Sequence, residues 1–396
     1  MSIIDEITIK GFKSIQDQTI SLGQMNVLIG TNGAGKSNFL EAIAMLSASA
    51  EGGIDYQKLS RRGARLSSHE IFRSAFRNRE RRDTFDLNIK MSEYKYKMRI
   101  NSTNDFTYNS ESFTLNDTKI AGRSNRGTTL NKESIKKLTK NKSILGVLQT
   151  FDDSHTDIIE TLKNFAIYSP STPILRGVSE DNSSHRPLGL YGGGLAKALL
   201  EVIRSKKSEK ELKRFFKLLD WFQSIGATTN IDPNVLPEQS LLGNLVVRYK
   251  DKFMKTNFNE LYAYDVSEGA LYILFVLILL IHEDSPDIFA LDNIDSTLNP
   301  GLIRQLMTHI TELLVEHPEK QIFLTTHNPT TLDAIDLFNP THRLFVVARS
   351  ETGQTELKRV EPPKNTTKEE WEEMYYGLKL SEIWLSGAIG GMPKGF

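Results

Sequence analysis

Residues 30–37 read Gly30-Thr31-Asn32-Gly33-Ala34-Gly35-Lys36-Ser37, a complete G-x-x-x-x-G-K-S run. Glycines let consecutive backbone N–H groups curl around an anion, a lysine reaches β- and γ-phosphates, and a serine hydroxyl joins a Mg²⁺ shell. Asn32, Gly33, Gly35, Lys36, Ser37 and Asn38 are therefore the expected phosphate-binding residues. A second segment, Pro286-Asp287-Ile288-Phe289-Ala290-Leu291-Asp292, reads as an apolar strand ending on a carboxylate, the Walker B form. Such an acid holds Mg²⁺ directly or through water, so Ser37 and Asp292 are the expected metal ligands.

Elements must hold these groups in place. The run Met25-Asn26-Val27-Leu28-Ile29 predicts a buried strand before the phosphate loop, and a helix is expected from about Lys36 to Leu46. Strand before and helix after separate a phosphate loop from a chance glycine-rich turn. Gln321-Ile-Phe-Leu-Thr325-Thr326-His327-Asn328 predicts another buried strand, parallel to the one ending at Asp292, with His327 just past its carboxyl end. Open α/β sheets place ligands at that edge, so His327 is expected to contact the γ-phosphate. Asp265-Val266-Ser267-Glu268-Gly269 precedes a strongly apolar stretch. Ser267 and Gly269 at a helix N-terminus form either a simple cap or an anion site.

Ile7-Thr-Ile9 and Ile20-Ser-Leu22 predict an opening antiparallel pair around Gly11-Phe12-Lys13-Ser14, and residues 84–115 alternate polar and apolar as a half-exposed antiparallel sheet does. Helical spacing is read over residues 132–166 and 195–225, the latter carrying Leu212, Phe215, Phe216, Leu219 and Phe222. Between them, Ser169–Gly194 is rich in Pro, Ser and Gly and reads as a long connection. No heptad pattern is sustained, so no coiled-coil arm is expected. The most apolar stretch, Ala270 to Ile281, falls short of the roughly twenty residues that span a bilayer, and it is expected as a buried helix with no membrane association.

Composition narrows the function. The 396 residues hold 49 Lys+Arg and 49 Asp+Glu, so no global attraction to nucleic acid is implied and any basic surface must be local. There is no cysteine, which excludes disulfides, thiolate metal sites and a cysteine nucleophile. The opening Met1-Ser-Ile-Ile-Asp-Glu lacks the pattern of a signal peptide, and a cytoplasmic protein is expected.

The order of motifs carries a resemblance that none carries alone. Ile9-Lys-Gly11-Phe12-Lys13-Ser14-Ile15, the phosphate loop, Ser267-Glu268-Gly269, Asp292, Leu298-Asn299-Pro300 and Thr326-His327-Asn328 resemble an ABC-type ATPase head. More narrowly, the chain resembles the SMC/RecF/OLD-like branch in a compact form without coiled-coil arms, as in bacterial anti-phage systems. The resemblance implies an α/β fold: a two-lobed head, with a mixed antiparallel lobe and a parallel-sheet core, carrying a helical insertion. It implies ATP and Mg²⁺ as cofactors, with ATP sandwiched between two copies so that a homo-oligomer completes the site. Ser267 and Gly269 would then reach a partner copy's γ-phosphate, Asn299 would lie in the loop communicating across the dimer, and His327 would complete the site in cis.

One residue departs from that pattern. The family places a glutamate after the Walker B aspartate as base or water-positioning group, and this chain has Asn293. An amide accepts no proton, and losing a general base typically costs about 10²–10⁴ in rate. Asp292, Asn293 and His327 are thus the expected catalytic set of a slow ATPase, with Asp295 a conceivable substitute base.

The expected domains are an ATPase lobe over 1–130, a helical insertion over 131–240, a second ATPase lobe over 241–362 and a tail over 363–396. A transporter subunit is disfavoured by analogy with the Gly11–Ser14 opening, and no nuclease domain is expected after Val360. The leading expectation is an ATP switch or scaffold that holds and releases a separately encoded effector, a nuclease or toxin, in anti-phage defence. The tail, with Trp371, Tyr375, Tyr376 and Trp384, either docks a partner or folds back on the head. The competing expectation is a RecF-like DNA-repair clamp, supported by Arg61, Arg62, Arg65, Arg73, Arg77, Arg79, Arg81 and Arg82 as a DNA or RNA contact. A solvated face or internal ion pairing is the plainer reading of that run.

Overall fold

The computed structural model describes residues 3–77, 79–135, 138–183, 185–205, 210–213, 218–231 and 245–391. Its strands are β1 (Glu6–Phe12), β2 (Ile15–Ser21), β3 (Met25–Ile29), β4 (Thr84–Met91), β5 (Tyr94–Asn101), β6 (Thr107–Leu115), β7 (Thr118–Ser124), β8 (Gly127–Leu130), β9 (Glu133–Ile135), β10 (Ala166–Tyr168), β11 (Phe222–Thr228), β12 (Val246–Asp251), β13 (Glu260–Tyr262), β14 (Ile288–Leu291), β15 (Gln321–Thr326), β16 (His342–Arg349) and β17 (Thr355–Val360). The chain divides into two compact units, residues 1–167 with 286–294 and 314–396, and residues 168–285 with 295–313.

The first unit holds two sheets. One is antiparallel, in the order β2-β1-β4-β5-β6-β7-β8-β9. The expected opening pair is present, with Ile7 opposite Ile20. The alternation over 84–115 becomes β4 to β6, which bury every second side chain, Phe85, Leu87, Ile89 and Met91 among them. The sheet runs on through β7 to β9, where Gly, Ser and Thr give little apolar alternation to read.

The second sheet has the order β10-β14-β15-β3-β16-β17, with β14, β15, β3 and β16 parallel and β17 antiparallel at its edge. All five residues of β3 and all six of β15 are buried, as strands covered on both faces must be. Helix α1 (Lys36–Ala50) follows the phosphate loop and is itself largely buried; Phe39 meets Phe323 of β15 at 6.0 Å between ring centroids. The carboxyl ends of β3, β14 and β15 lie side by side, with Ile29 opposite Thr326 and Leu291 opposite Leu324.

The tail folds back within this unit. Helix Leu380–Leu385 packs on residues 329–334, Ser381 N–H donates to Asp333 Oδ1 at 3.1 Å, and Lys368 pairs with Asp336 at 3.5 Å.

The second unit contains the antiparallel sheet β11-β12-β13, helix Leu195–Arg204 and helix Glu268–Ile281. From Gly269 to Ile281 the latter is buried all round, as its composition requires. No described helix is long and apolar enough to cross a membrane. Phe222, read as the end of a helical stripe, instead opens β11; Phe215 and Phe216 of that stripe lie outside the described residues. The connection Ser169–Gly194 is tied together by Asp181, whose carboxylate accepts from Ser183 Oγ and from the N–H groups of Tyr191 and Gly193.

Candidate functional site

The phosphate loop joins β3 to α1 and opens a cleft of about 260 Å³, lined by residues 32–38 with Arg65, Asn293, His327 and Arg349. Two glycines explain its shape. Gly35 has φ 113°, and a Cβ there would stand 2.1 Å from Thr355 Oγ1. Gly33 has φ 76° with nothing within 4 Å of a Cβ position, so its backbone borders open space. Helix α1 has no side-chain cap on its first turn, which leaves its N–H groups and positive end toward the cleft.

Lys36 is buried and curls back on the loop, donating to Gly30 O at 2.8 Å and Thr31 O at 3.2 Å. Its Nζ also stands 3.3 Å from His327 Nδ1, and that nitrogen is 3.0 Å from Gly30 O. Nδ1 either donates to the carbonyl or accepts from the ammonium, so the tautomer of His327 decides which bond forms. Either way histidine, lysine and loop meet at one point.

Ser37 Oγ donates to Asp292 Oδ2 at 3.3 Å, joining the first turn of α1 to the end of β14. The other oxygen, Asp292 Oδ1, accepts from Thr325 Oγ1, which in turn accepts from Asn293 N–H at 2.8 Å. Thr325 therefore orients both residues after β14, a role its place in an apolar strand does not advertise. Asn293 has φ 57°, in the left-handed region that asparagine tolerates better than most residues.

A charged cluster, with the Lys13 and Glu41 side chains buried and Arg65 at the surface, braces the loop. Lys13 pairs with Glu41 of α1, and Arg65 Nε pairs with the same carboxylate at 2.6 Å. Arg65 also donates to Asn38 Oδ1 at 2.6 Å, Asn38 donates to Ser14 Oγ at 2.6 Å, and Ser14 bonds Thr355 Oγ1 at 2.7 Å. Thr355 then donates to Ala34 O of the loop at 2.7 Å. The Gly11–Ser14 opening is thereby wired to the phosphate loop. Burial pushes the Glu41 carboxyl up, but the hydrogen bond from Arg65 and the adjoining Lys13 charge outweigh it and hold it below its ordinary value. For Lys13 burial prevails over Glu41 and lowers its ammonium below the ordinary value. The hydrogen bond to Glu41 raises Arg65, and the charges of Glu41 and Asp292 add to it against burial.

Two cleft residues were not expected from the sequence. Arg65 was read as one of a basic run, and Arg349, whose Nε donates to Gly33 O at 3.0 Å, carries no motif. That run is mostly paired internally: Arg61 and Arg62 with Glu51, Arg65 with Glu41, Arg73 with Asp83 and Arg81 with Glu70.

The remaining expected residues lie in the second unit. Ser267 is exposed and caps helix Glu268–Ile281, accepting from Ala270 N–H at 3.3 Å. Gly269 is buried, with Leu298 Cδ2 3.2 Å from where a Cβ would stand. Asn299 Oδ1 accepts from Leu302 N–H at 3.0 Å at the start of helix Pro300–Glu316. Asp295 also falls in this unit.

The residues of the cleft fit a Mg²⁺-nucleotide. Open N–H groups, a glycine edge and a buried lysine suit phosphates, while Ser37 and Asp292 converge as hard oxygen donors. No described group of three or more His, Cys, Asp or Glu residues could hold a metal alone, and Mg²⁺ commonly binds through one or two protein oxygens plus phosphates.

Comparison with known proteins agrees. The family described as "AAA domain, putative AbiEii toxin, Type IV TA system" matches residues 25–333. Among solved structures, an Smc head bound to the C-terminal winged-helix domain of ScpA is similar at TM-score 0.54 and 15% identity, over 91% of this chain and 98% of that one. An Smc head with an extended coiled coil, bound to the C-terminal domain of ScpA from Pyrococcus furiosus, is similar at TM-score 0.52 and 13% identity, over 95% and 99%. No curated protein sequence matches. At such identities the likeness establishes the fold, a compact head like that of Smc, and the family match covers most of the chain: it belongs to the family described as "AAA domain, putative AbiEii toxin, Type IV TA system".

Proposed function

We propose that the chain is a slow ATP switch that closes on nucleotide into a homo-oligomer and holds, then releases, a separately encoded effector in anti-phage defence. The observation that carries this is the cleft itself, where the phosphate loop with Lys36 and Ser37 meets Asp292 and His327 and the residue after Asp292 is an amide. Lys36 would exchange its two backbone carbonyls for phosphate oxygens, a stronger charge-assisted pairing. Ser37 and Asp292 would hold Mg²⁺, which neutralises charge developing on the transferred phosphoryl group. His327, beside Lys36, would approach the terminal phosphate. Asn293 can orient a water by hydrogen bonding but cannot take its proton, so binding is retained while turnover is slow.

The family description, which names a toxin and a toxin–antitoxin system, supports the defence setting, and the similar solved heads each carry a bound protein domain. Ser267, exposed on a capped helix end, suits contact with the nucleotide of a second copy. Light scattering with and without Mg²⁺-ATP tests the closure: the wild type gains mass, whereas Ser267→Arg binds ATP and does not. A wild type whose mass ignores ATP contradicts the sandwich. Phage challenge of cells carrying the gene with its neighbours tests the setting; protection lost in Lys36→Ala supports it, and no protection in the wild type contradicts it.

A further inference from the structure

The β12–β13 hairpin of the second unit ends in Lys252-Phe253-Met254-Lys255-Thr256-Asn257-Phe258, and its apolar groups face water: Phe253 is 75% exposed, Phe258 72% and Met254 42%. A single exposed apolar side chain needs no explanation. Two phenylalanines on one short tip, each forgoing the stabilisation that burial of a large apolar side chain supplies, do.

The tip is not loose chain. Asp251 Oδ1 accepts from Phe253 N–H at 2.7 Å, Asp251 N–H donates to Asn259 O at 2.9 Å, and Phe258 N–H donates to Lys255 O at 2.7 Å. These bonds fix the backbone and present the rings. Lys252 and Lys255 are exposed beside them, and Lys252 Nζ lies 4.8 Å from the Phe253 ring centroid. Further down the hairpin, Arg248 and Lys250 share Glu260, each at 3.2 Å, so two cations meet one carboxylate.

Flat aromatic faces interleaved with cations are the chemistry of base stacking plus phosphate contact. Duplex nucleic acid keeps its base faces stacked on each other and offers none to a protruding ring. We propose that this tip binds single-stranded nucleic acid, with bases stacked on Phe253 and Phe258 and phosphates met by Lys252 and Lys255. The charge of the tip matches that ligand. β13 leads directly into the segment whose Ser267 caps the next helix, so a strand held at the tip is joined through one short strand to the residue proposed to meet a second copy's nucleotide. The binding site itself does not depend on the effector reading.

The test is anisotropy of a short fluorescent oligothymidylate titrated with the full chain, beside a duplex of equal length and vesicles rich in anionic phospholipid. The single strand is expected to bind and the duplex to bind at least about tenfold more weakly. Phe253→Ala with Phe258→Ala should lose at least about tenfold, and Lys252→Gln with Lys255→Gln should make the salt dependence shallower by about 1.4 in log–log slope. Nucleotide binding, measured alongside, should be unchanged in both variants, which shows that they fold. Absence of single-strand binding, retention of it by the phenylalanine variant, equal duplex binding, or vesicle binding in its place would each overturn the proposal. Because oligomer mass and phage protection are read separately, failure here is distinguishable from failure of the switch.

Discussion

Replacing Lys13 by methionine removes one of two cations from a carboxylate that has almost no access to water. The Lys13 side chain is 6% exposed and that of Glu41 2%, whereas Arg65 is 62% exposed. Breaking a buried pair by deleting one partner typically costs about 3–5 kcal/mol. Here Arg65 keeps its bonds to Glu41 through Nε at 2.6 Å and the backbone N–H at 3.1 Å, and burial already disfavours the Lys13 ammonium. Methionine also preserves apolar contact near the Phe72 ring, whose centroid lies 4.6 Å from Lys13 Nζ. These effects bring the loss to or just below the bottom of that range, about 2–3 kcal/mol, or a fall in Tm of about 5–10 °C for a unit of this size.

Thermal unfolding followed by near-ultraviolet circular dichroism at neutral pH measures it. The pH dependence has a defined sign: because the folded carboxyl of Glu41 titrates below its ordinary 4.5, its contribution is present above that value and lost as pH falls through the lowered one. The gap between wild type and Lys13→Met should therefore narrow in acid. Lys13→Met with Glu41→Leu should be less destabilised than Lys13→Met alone, since the buried carboxylate left with one largely exposed cation is removed as well. An unchanged or raised Tm in the single variant, or a double variant worse than the single, would refute the reasoning.

Gly35→Ala should weaken binding of a fluorescent ATP analogue by about 5–150-fold, the equivalent of about 1–3 kcal/mol of backbone strain, because φ is 113° and the new methyl meets Thr355 Oγ1 at 2.1 Å. Thr325→Val should leave Asp292 and the Asn293 N–H without their shared hydroxyl; we expect a loss of about 1–3 kcal/mol in stability and a raised Mg²⁺ requirement for ATP binding, followed by titration of the metal.

The candidate site was legible where one residue type has few other uses. The phosphate loop, Asp292 and His327 could be read because strand, glycine and cation patterns fix both conformation and place, and the parallel register then brings them to one sheet edge. The apolar stretch before His282 read correctly as a buried helix because it is too short for a bilayer and too apolar for a surface. Arg65 and Arg349 were not legible: arginines on irregular backbone have no periodic signature, and only tertiary contact decides whether one faces a cleft or an acid. Thr325 was hidden because a buried strand hides the one hydroxyl that matters. The sheet β11–β13 was missed where charged residues at near-helical spacing preceded it, and tertiary pairing overrode that weak local signal.

Asn293 holds the central claim, and its backbone sets how to test it. Glutamate at φ 57° carries about 1–2 kcal/mol of left-handed strain, while aspartate tolerates that region and restores a carboxylate with shorter reach. Phosphate release from Mg²⁺-ATP should be measured for the wild type, Asn293→Asp and Asn293→Glu at matched nucleotide occupancy. The account predicts barely measurable wild-type turnover, with a gain toward the about 10²–10⁴-fold worth of a general base in at least one variant. Rapid turnover by the wild type, with no gain in either variant, would contradict it.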